Sequence, residues 1–308
     1  MNASAHRRQR LLAIGRALTP QAVAASEALW ADAAQHAVPP DTQVLRDLAY
    51  SPHERHRLDL FLPPAATQAS PPAVFLFVHG GGFMGGDKHR PGSHLYDNIG
   101  HWAMSQGMAS VHINYRLAPT HGWPSAADDI GRAMDWLGAH AERLGVDATR
   151  TIVAGHSAGA AHVASYIAGH GQRGADRQPL RGAVLLSGIY DIAAMSQRPS
   201  VQSYYGSDPD AHALQSSVDG LTACELPLLL TVAEHDPDEF HAQAMALLAH
   251  TTAQRGRMPA FCVVPGHNHF TQVFHLGCGD PHASPLSQLL AAFVQPLLDN
   301  AAHVQDRP

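Results

Sequence analysis

The sequence predicts an α/β fold with a mostly parallel central sheet and helices on both of its faces. Short apolar runs of strand length alternate with longer segments of helical periodicity through most of the 308-residue chain. Hydrophobic residues make up 45% of the chain and charged residues 15%, which supplies a sizeable core and excludes a disordered protein. Two glycine-containing motifs directly follow apolar runs, which places them at the carboxyl ends of strands, where open α/β sheets build their sites.

The first elements precede the regular alternation. Residues 20–36 carry apolar residues at near-helical spacing, which predicts a lead-in helix. Residues 44–62 end in the alternating run RLDLFL and are followed by two prolines, which predicts one or two edge strands. We therefore divide the chain into an N-terminal helical lead-in, residues 1–43, and a main domain, residues 44–308.

The main domain alternates strands with helices. Residues 74–78 form a continuous apolar run, as expected for a strand buried on both faces. The other predicted strands are 109–115, 151–154, 182–186, 226–233 and 261–264. The predicted helices are 95–106, 128–144, 158–168, 240–250 and 285–298. The least regular segment, residues 191–221, is predicted to form a small lid over the sheet.

Charge and cysteine content exclude several classes of function. The formal net charge is −6 and the basic residues are scattered, so no surface for nucleic acid is expected. No stretch approaches the roughly 20 apolar residues that span a bilayer, and residues 11–14 are too short an apolar core for a secretory signal. The three cysteines lack CxxC spacing, so reduced thiols in a cytoplasmic protein are expected.

A serine nucleophile is predicted within residues 155–159, which read GHSAG between a predicted strand and an alanine-rich predicted helix. In this context a GxSxG sequence forms a nucleophile elbow. The turn is so tight that the flanking residues must be small, and Gly155 and Gly159 meet that need. Ser157 is therefore the predicted nucleophile, at the start of a helix whose dipole favours a developing anion.

The second motif, HGGGF at residues 79–83, directly follows the apolar run 74–78. A tetrahedral intermediate carries negative charge on the former carbonyl oxygen, and fixed backbone N–H donors stabilise that charge. Consecutive glycines let the backbone approach the substrate and turn its amides inward. The expected donors of this oxyanion hole are the amides of Gly81, Gly82 and Ala158.

An acid and a base are expected where the last two predicted strands end. Asp236 follows strand 226–233 and His269 follows strand 261–264, so the chain order is Ser, Asp, His, as in α/β hydrolases. In this prediction His269 takes the proton of Ser157 and later returns it to the leaving group. Asp236 holds the imidazole tautomer and supports its positive charge.

Both of these assignments have competitors nearby in the sequence. Asp238 and Glu239 compete with Asp236, although they lie further past the strand, on the approach to the next helix. His267 competes with His269 for the role of the base.

The 23 histidines of the chain raise the hypothesis of a metal site. His267, His269 and His275 lie close together in the sequence and resemble a ligand set. However, no HExxH pair occurs, and Cys262 and Cys278 have no partners at ligand spacing. We therefore expect neither a metal nor another cofactor.

The motifs together resemble a known family. The elbow GHSAGA, the turn HGGGF and the sequence NYRLAP at residues 114–119 are similar to those of hormone-sensitive-lipase-like carboxylesterases of the α/β-hydrolase superfamily. The resemblance covers roughly residues 58–293 and implies an α/β-hydrolase fold. The sequences GGDK at 85–88 and EHDPDEF at 234–240 resemble the branch of kynurenine formamidases (arylformamidases) and feruloyl-type esterases. The resemblance favours Asp236 over Asp238, and the HF pair favours His269 over His267.

One departure separates the chain from the formamidases, which usually carry a bulky aromatic residue where this chain has Gly82. The leading hypothesis is therefore a carboxylesterase that cleaves a small ester. The alternative is an arylformamidase acting on N-formylkynurenine or another activated amide, because both reactions pass through an acyl-enzyme. A third hypothesis is a catalytically silent small-molecule receptor. The presence of all three residue types, Ser, Asp and His, argues against it. Residues 1–43 are expected either to pack over the active site or to mediate a homodimer.

Overall fold

The centre of the protein is a single twisted sheet. A computed structural model describes residues 3–31, 42–64, 70–171, 178–278 and 284–299 of the chain. The described strands are β1 (Gln43–Ala49), β2 (Arg57–Leu62), β3 (Ala73–Val78), β4 (Ala109–Ile113), β5 (Asp147–His156), β6 (Leu180–Leu186), β7 (Leu228–His235) and β8 (Ala260–Asn268). Their order across the sheet is β1-β2-β4-β3-β5-β6-β7-β8. The pairs β1–β2 and β2–β4 are antiparallel and the other pairs are parallel, which confirms the predicted mostly parallel sheet.

Helices cover both faces of this sheet, as predicted. In chain order they are α1 (Ala3–Ile14), α2 (Pro20–Ala28), α3 (Asp97–Ser105), α4 (Ser125–Leu144), α5 (Ala158–Ala168), α6 (Pro199–Tyr205), α7 (Pro209–Gln215), α8 (Val218–Ala223), α9 (Asp238–Arg255), α10 (Thr271–Phe274) and α11 (Pro285–Asp299). Within the described ranges, no helix is both long enough and apolar enough to cross a membrane.

Strand β3 shows how one apolar run holds the two layers together. Its alternate residues point to opposite faces of the sheet, as the strand geometry requires. Val74 and Leu76 face one hydrophobic core, whereas Phe75 and Phe77 face the other. All of these side chains are buried, so the run lacks the polar alternation of a strand with one wet face.

Several predicted elements differ from the structure at their ends, such as the strand predicted at 151–154, which spans Asp147–His156, and two segments differ more. The helix predicted at residues 20–36 ends at Ala28, and residues 32–36 lie outside the described part of the chain. The segment 191–221, predicted to be irregular, contains the short helices α6 and α7 and the first four residues of α8. Proline occupies the first turn of both α6 and α7, where its missing N–H and fixed φ are favourable. These helices are only six or seven residues long, too short to give a clear periodic pattern in the sequence.

Candidate active site

Ser157 occupies the turn between β5 and α5 in a backbone conformation that L-residues rarely adopt. Its φ is +57° and its ψ is −121°. A Cβ on Gly155 would lie 2.4 Å from the carbonyl oxygen of Gly159, and a Cβ on Gly159 would lie 2.1 Å from that of Val78. Both contacts are too short for any side chain, so glycine is required on each side of the serine. The turn therefore has the geometry expected from its sequence.

The glycine-rich turn after β3 lies beside this serine. Gly81 has a φ of +142°, and a Cβ there would meet the carbonyl oxygen of Gly85 at 2.0 Å. Gly82 has a φ of +59° but open space around it. Among the described residues, no acceptor is hydrogen-bonded to the backbone N–H of Gly81, Gly82 or Ala158. These three amides are therefore free to donate to a bound group.

Two contacts fix the glycine-rich turn at its ends. The backbone N–H of Gly80 donates to the hydroxyl of Tyr96 at 3.1 Å. At the other end, the ring of Phe83 stacks on that of Tyr204 in α6, with centroids 5.1 Å apart and planes 8° apart. The second contact ties the turn to the segment 191–221.

Asp236 and His269 form a buried pair at the ends of β7 and β8. Nδ1 of His269 lies 2.6 Å from Oδ1 of Asp236. Oδ2 of Asp236 accepts from the hydroxyl of Ser187 and from the backbone N–H of Ala233, each at 2.6 Å. Among the described residues, Nε2 of His269 has no hydrogen-bond partner. The imidazole is thus anchored through one nitrogen, and the other is unoccupied.

The surroundings keep Asp236 ionised. Burial by itself would raise the pKa of this carboxyl group. The interaction with His269 and the hydrogen bonds from His269, Ser187 and Ala233 outweigh burial and bring the pKa below its ordinary value. Asp236 therefore presents a negative charge to His269 at neutral pH.

The competing acids lie elsewhere. Asp238 is exposed and forms an ion pair with Arg16. Glu239 accepts from Arg198 at 2.8 Å. The structure brings Asp236, and neither of these two carboxylates, into hydrogen-bond contact with His269.

The competing base, His267, is committed to other contacts. Its Nδ1 lies 3.1 Å from the hydroxyl of Thr271, and its Nε2 lies 3.2 Å from Nδ1 of His275. The ring of His275 stacks on Trp30 at 3.5 Å between centroids, so this pair packs beneath the N-terminal segment. No group of three or more potential metal ligands occurs in the described ranges. His267 and His275 thus act as packing residues in this structure.

Ser157 and His269 line one cavity of about 720 Å³. The glycines of the turn 80–82 lie in its wall together with Tyr96 and His156. Most of the remaining wall is apolar and consists of Leu18, Pro20, Val23, Met84, Leu95, Phe270 and Phe274. The remaining polar side chains at the cavity are those of Thr19, Asp87, Arg90, Arg198 and Ser200. An uncharged substrate with small apolar groups suits this lining.

Two parts of the chain outside the sheet close the cavity. Leu18 and Val23 belong to the N-terminal segment, and Arg198 and Ser200 belong to the segment 191–221. The N-terminal segment is also joined to the loop that carries His269, because the side-chain amide of Asn268 donates to the hydroxyl of Ser26. Sequence patterns did not reveal this connection, since the two residues are far apart in the chain.

The site also contains residues that sequence reasoning missed. Ser187 and Gln272 are fully buried and contact Asp236 and His269. Ser187 follows β6 directly, at the same edge of the sheet as the recognised motifs, and that position was the available signal. Gln272 lies three residues after His269, within reach of the same turn.

Comparison with known proteins agrees with this fold. The family model described as BD-FAE matches residues 58–203. An ethyl acetate hydrolase of Pseudomonas putida is 33% identical over 253 residues, which cover 73% of this chain and 74% of the relative. The carboxylesterase NlhH of Mycobacterium tuberculosis is 37% identical over 102 residues, 32% of this chain and 30% of the relative.

Solved structures share the fold. Esterase B from Lactobacillus rhamnosis superimposes with a TM-score of 0.71 at 20% identity, covering 96% of this chain and 97% of the other. An esterase from the bacterial hormone-sensitive lipase family gives 0.66 at 23% identity, covering 96% of each chain. The solved structures thus share the α/β-hydrolase fold, and the similarity to the ethyl acetate hydrolase identifies the protein as an ester hydrolase. It belongs to the hormone-sensitive-lipase-like carboxylesterases.

Proposed function

We propose that the protein cleaves a small carboxylic ester through an acyl-enzyme formed on Ser157, with His269 as the base and Asp236 as its support. The observation that carries the proposal is the hydrogen bonding of the two ring nitrogens of His269. Its Nδ1 is held by Asp236 at 2.6 Å, while Nε2 is unoccupied in the part of the chain that the structure describes. A general base needs such an arrangement, with one fixed nitrogen and one available nitrogen.

In the first half of the reaction, Oγ of Ser157 attacks the ester carbonyl carbon and its proton passes to Nε2 of His269. The carbonyl π electrons move onto the oxygen, and the amides of Gly81, Gly82 and Ala158 donate to the resulting oxyanion. Collapse of this intermediate breaks the bond to the alcohol oxygen, which takes the proton from Nε2. Donors that are fixed before the reaction stabilise the developing charge without reorganisation.

In the second half, water attacks the acyl-enzyme and gives its proton to Nε2. Collapse of the second intermediate returns that proton to Oγ of Ser157 and releases the carboxylic acid. The lowered pKa of Asp236 supports both halves, because an ionised carboxylate stabilises the imidazolium that forms twice in the cycle.

The cavity supports an ester substrate of small size and low polarity. Its volume of about 720 Å³ lies within the usual range for small-molecule sites, and its wall is mostly apolar. The ethyl acetate hydrolase of Pseudomonas putida is named for a substrate of this kind. We therefore propose short-chain alkyl esters as the substrate class.

A side-by-side assay of a short-chain p-nitrophenyl ester and N-formylkynurenine tests the proposal, with the Ser157→Ala protein as control. Preference for the ester and an inactive variant are expected. Much faster cleavage of the formamide would make the protein an arylformamidase. Turnover of neither substrate, together with tight binding of a small molecule, would support a silent receptor.

Two further expectations concern the protein in the cell. We propose a cytoplasmic location, in which Cys224, Cys262 and Cys278 stay reduced, as they are in the structure. We also propose that any homodimer forms without residues 18–24, because that stretch lines the cavity. Fractionation of cells and light scattering of the purified protein test these two expectations.

A further inference from the structure

Ser187 is hydrogen-bonded to Asp236 and Gln272 to Ser187, and neither residue lines the cavity. Ser187 follows β6, is fully buried, and has a positive φ of +47°. The side-chain nitrogen of Gln272 lies 2.6 Å from the hydroxyl of Ser187. The hydroxyl of Thr231 in β7 lies 3.3 Å from the side-chain oxygen of Gln272. A continuous row of buried polar groups thus leads from β7 to the carboxylate.

Chemistry fixes the direction of these hydrogen bonds. The backbone carbonyl of His269 lies 3.2 Å from Nε2 of Gln272 and can only accept, so the amide nitrogen must face it. The same NH₂ group donates its other hydrogen to Ser187. The single hydroxyl hydrogen of Ser187 is then left for Oδ2 of Asp236, 2.6 Å away. An ionised carboxylate only accepts, which agrees with this direction.

We propose that Thr231, Gln272 and Ser187 form a polarised hydrogen-bond chain that positions Asp236 and moderates the proton affinity of His269. The inference rests on the proposed function, because it concerns the base of that reaction. All three act as positioning residues and none of them lines the cavity. Donation from Ser187 stabilises the charge on Asp236, so the carboxylate pulls less strongly on the proton of His269 than it would alone.

The titratable groups that face this pair leave the charge of Asp236 uncompensated by other ions. The ring of His156 lies 4.8 Å from that of His269, and burial lowers the pKa of His156 to about 3, so it is neutral. Burial raises the pKa of Tyr190, which lies near Asp236, so the phenol is neutral as well. We therefore expect a substitution of Ser187 to affect catalysis through the charge of Asp236.

On the remaining side the pair meets an apolar ring. Phe240 packs on His269 with centroids 4.6 Å apart. Arg198 lies over the same phenyl ring at 5.7 Å and is paired with Glu239. Arg198 and Glu239 thus form an ion pair of zero net charge, and neither residue is altered by substitution of Ser187.

The decisive variant is Ser187→Ala. We expect kcat/KM to fall about 10- to 100-fold, the range that corresponds to loss of a hydrogen bond to a charged group. The acid limb of the pH profile should move to higher pH, because a carboxylate that has lost a donor favours protonated His269. KM should change little, since Ser187 does not line the cavity. If this variant does not fold, Ser187→Gly replaces it, because glycine adopts positive φ readily.

Gln272→Met is the matched variant one step further along the chain. It keeps the length of the side chain but removes the amide, while Ser187 retains Asp236 as an acceptor. Its loss of kcat/KM should be smaller than that of Ser187→Ala. The double variant should be no worse than Ser187→Ala alone, because residues that act through one chain are not additive.

Ser157→Ala is assayed in parallel to separate the two proposals. An unchanged kcat/KM and an unmoved pH profile in folded Ser187→Ala, with Ser157→Ala inactive, would overturn the chain alone. A lower Tm with an unmoved pH profile would overturn it too, because a merely structural role predicts that result. Full activity in Ser157→Ala would instead overturn the proposed function.

Discussion

The side-chain amide of Asn268 donates a hydrogen bond of 3.0 Å to the hydroxyl of Ser26, although 242 positions separate them in the chain. Both side chains are buried. Oδ1 of the same asparagine accepts from the backbone N–H of Phe270 and Thr271, so Asn268 shapes the loop that carries His269. The N-terminal segment is thereby coupled to the proposed base.

Ser26→Ala should lower both stability and kcat. The buried amide of Asn268 would lose its acceptor, at a cost of about 1–3 kcal/mol. Gln21→Ala is the control, because Gln21 lies on the same helix, is exposed, and neither contacts Asn268 nor lines the cavity. Chemical denaturation and steady-state kinetics measure the two effects. Equal losses of kcat in the two variants would show that the hydrogen bond has no special role.

Ser157→Ala should reduce turnover by roughly 10⁶-fold, as for other serine hydrolases whose catalytic residues act as a unit. Ser157→Gly should be equally inactive but more stable than Ser157→Ala by about 1–3 kcal/mol, because glycine relieves the strained backbone. Active-site titration and thermal unfolding measure these effects. Near-normal activity of either variant would contradict the assignment of the nucleophile.

His269→Ala and His267→Ala should behave differently. The first variant removes the group bound to Asp236 and should nearly abolish kcat. The second leaves that pair intact but removes the contact with His275 under Trp30, so it should lower Tm and largely preserve kcat. Kinetics and unfolding of both proteins provide the comparison. The reverse pattern would make His267 the base.

Substitutions in the glycine-rich turn should distinguish the cost of a steric contact at Gly81 from the cost of a positive φ at Gly82. Gly81→Ala forces a contact of 2.0 Å with the carbonyl oxygen of Gly85, so the turn must shift. We expect a loss of kcat of about 10²–10³, the effect of removing an oxyanion-hole donor. Gly82→Ala places its Cβ 3.8 Å from the nearest atom and meets only the cost of φ +59°, so its loss should be smaller. Equal kcat values for the two variants would exclude this explanation.

Acidification should destabilise the protein well before the carboxylates titrate, and His162 is the clearest contributor. Burial lowers its pKa from 6.5 to about 3, and neither ring nitrogen has a partner among the described residues. Below pH 6.5 the unfolded chain binds a proton at this position and the folded protein does not. The free energy of unfolding therefore decreases as the pH is lowered below 6.5, by roughly 1.4 kcal/mol per pH unit for such a group.

His162→Leu should flatten this dependence and raise stability at acidic pH relative to the unchanged protein. His6→Leu is the control, because His6 is exposed and its replacement should leave the slope unaltered. Urea unfolding between neutral pH and about pH 5, within the range in which free histidine titrates, measures both slopes. Parallel slopes for His162→Leu and the unchanged protein would refute the prediction.

The sheet and the order of the motifs could be predicted because local physics dictates them. The buried run at β3 and the glycines beside Ser157 are required by packing distances that involve close neighbours in the chain. For the cavity wall, the sequence leaves two alternatives open, packing of residues 1–43 over the active site or mediation of a homodimer, and it does not indicate which residues line the cavity. Leu18 and Val23 reach the site only through the tertiary fold, and nothing in their own sequence marks them.

Ser187 and Gln272, the residues that hold Asp236, were not predicted from the sequence for a related reason. Ser187 has an unusual positive φ, and a serine that adopts it has no distinctive sequence pattern. Gln272 is an uncharged residue in a four-residue helix, which is too short to show periodicity. Hydrogen bonds of this kind depend on which residues are close together in the folded protein, and the order of residues in the sequence says little about that proximity.

The cavity wall comes from two parts of the chain, since Met84 and Leu95 lie inside the range of the family match and Leu18 and Val23 lie outside it. Leu18 and Val23 precede residue 58, where the family match begins, whereas Ser157 lies inside the matched range. We therefore expect substitutions at Leu18 and Val23 to change the substrate preference of this protein while leaving the pair of Asp236 and His269 in place. Residues 18–24 are accordingly the natural target for redesign, and Ser26 marks the point beyond which redesign begins to disturb the loop of the base.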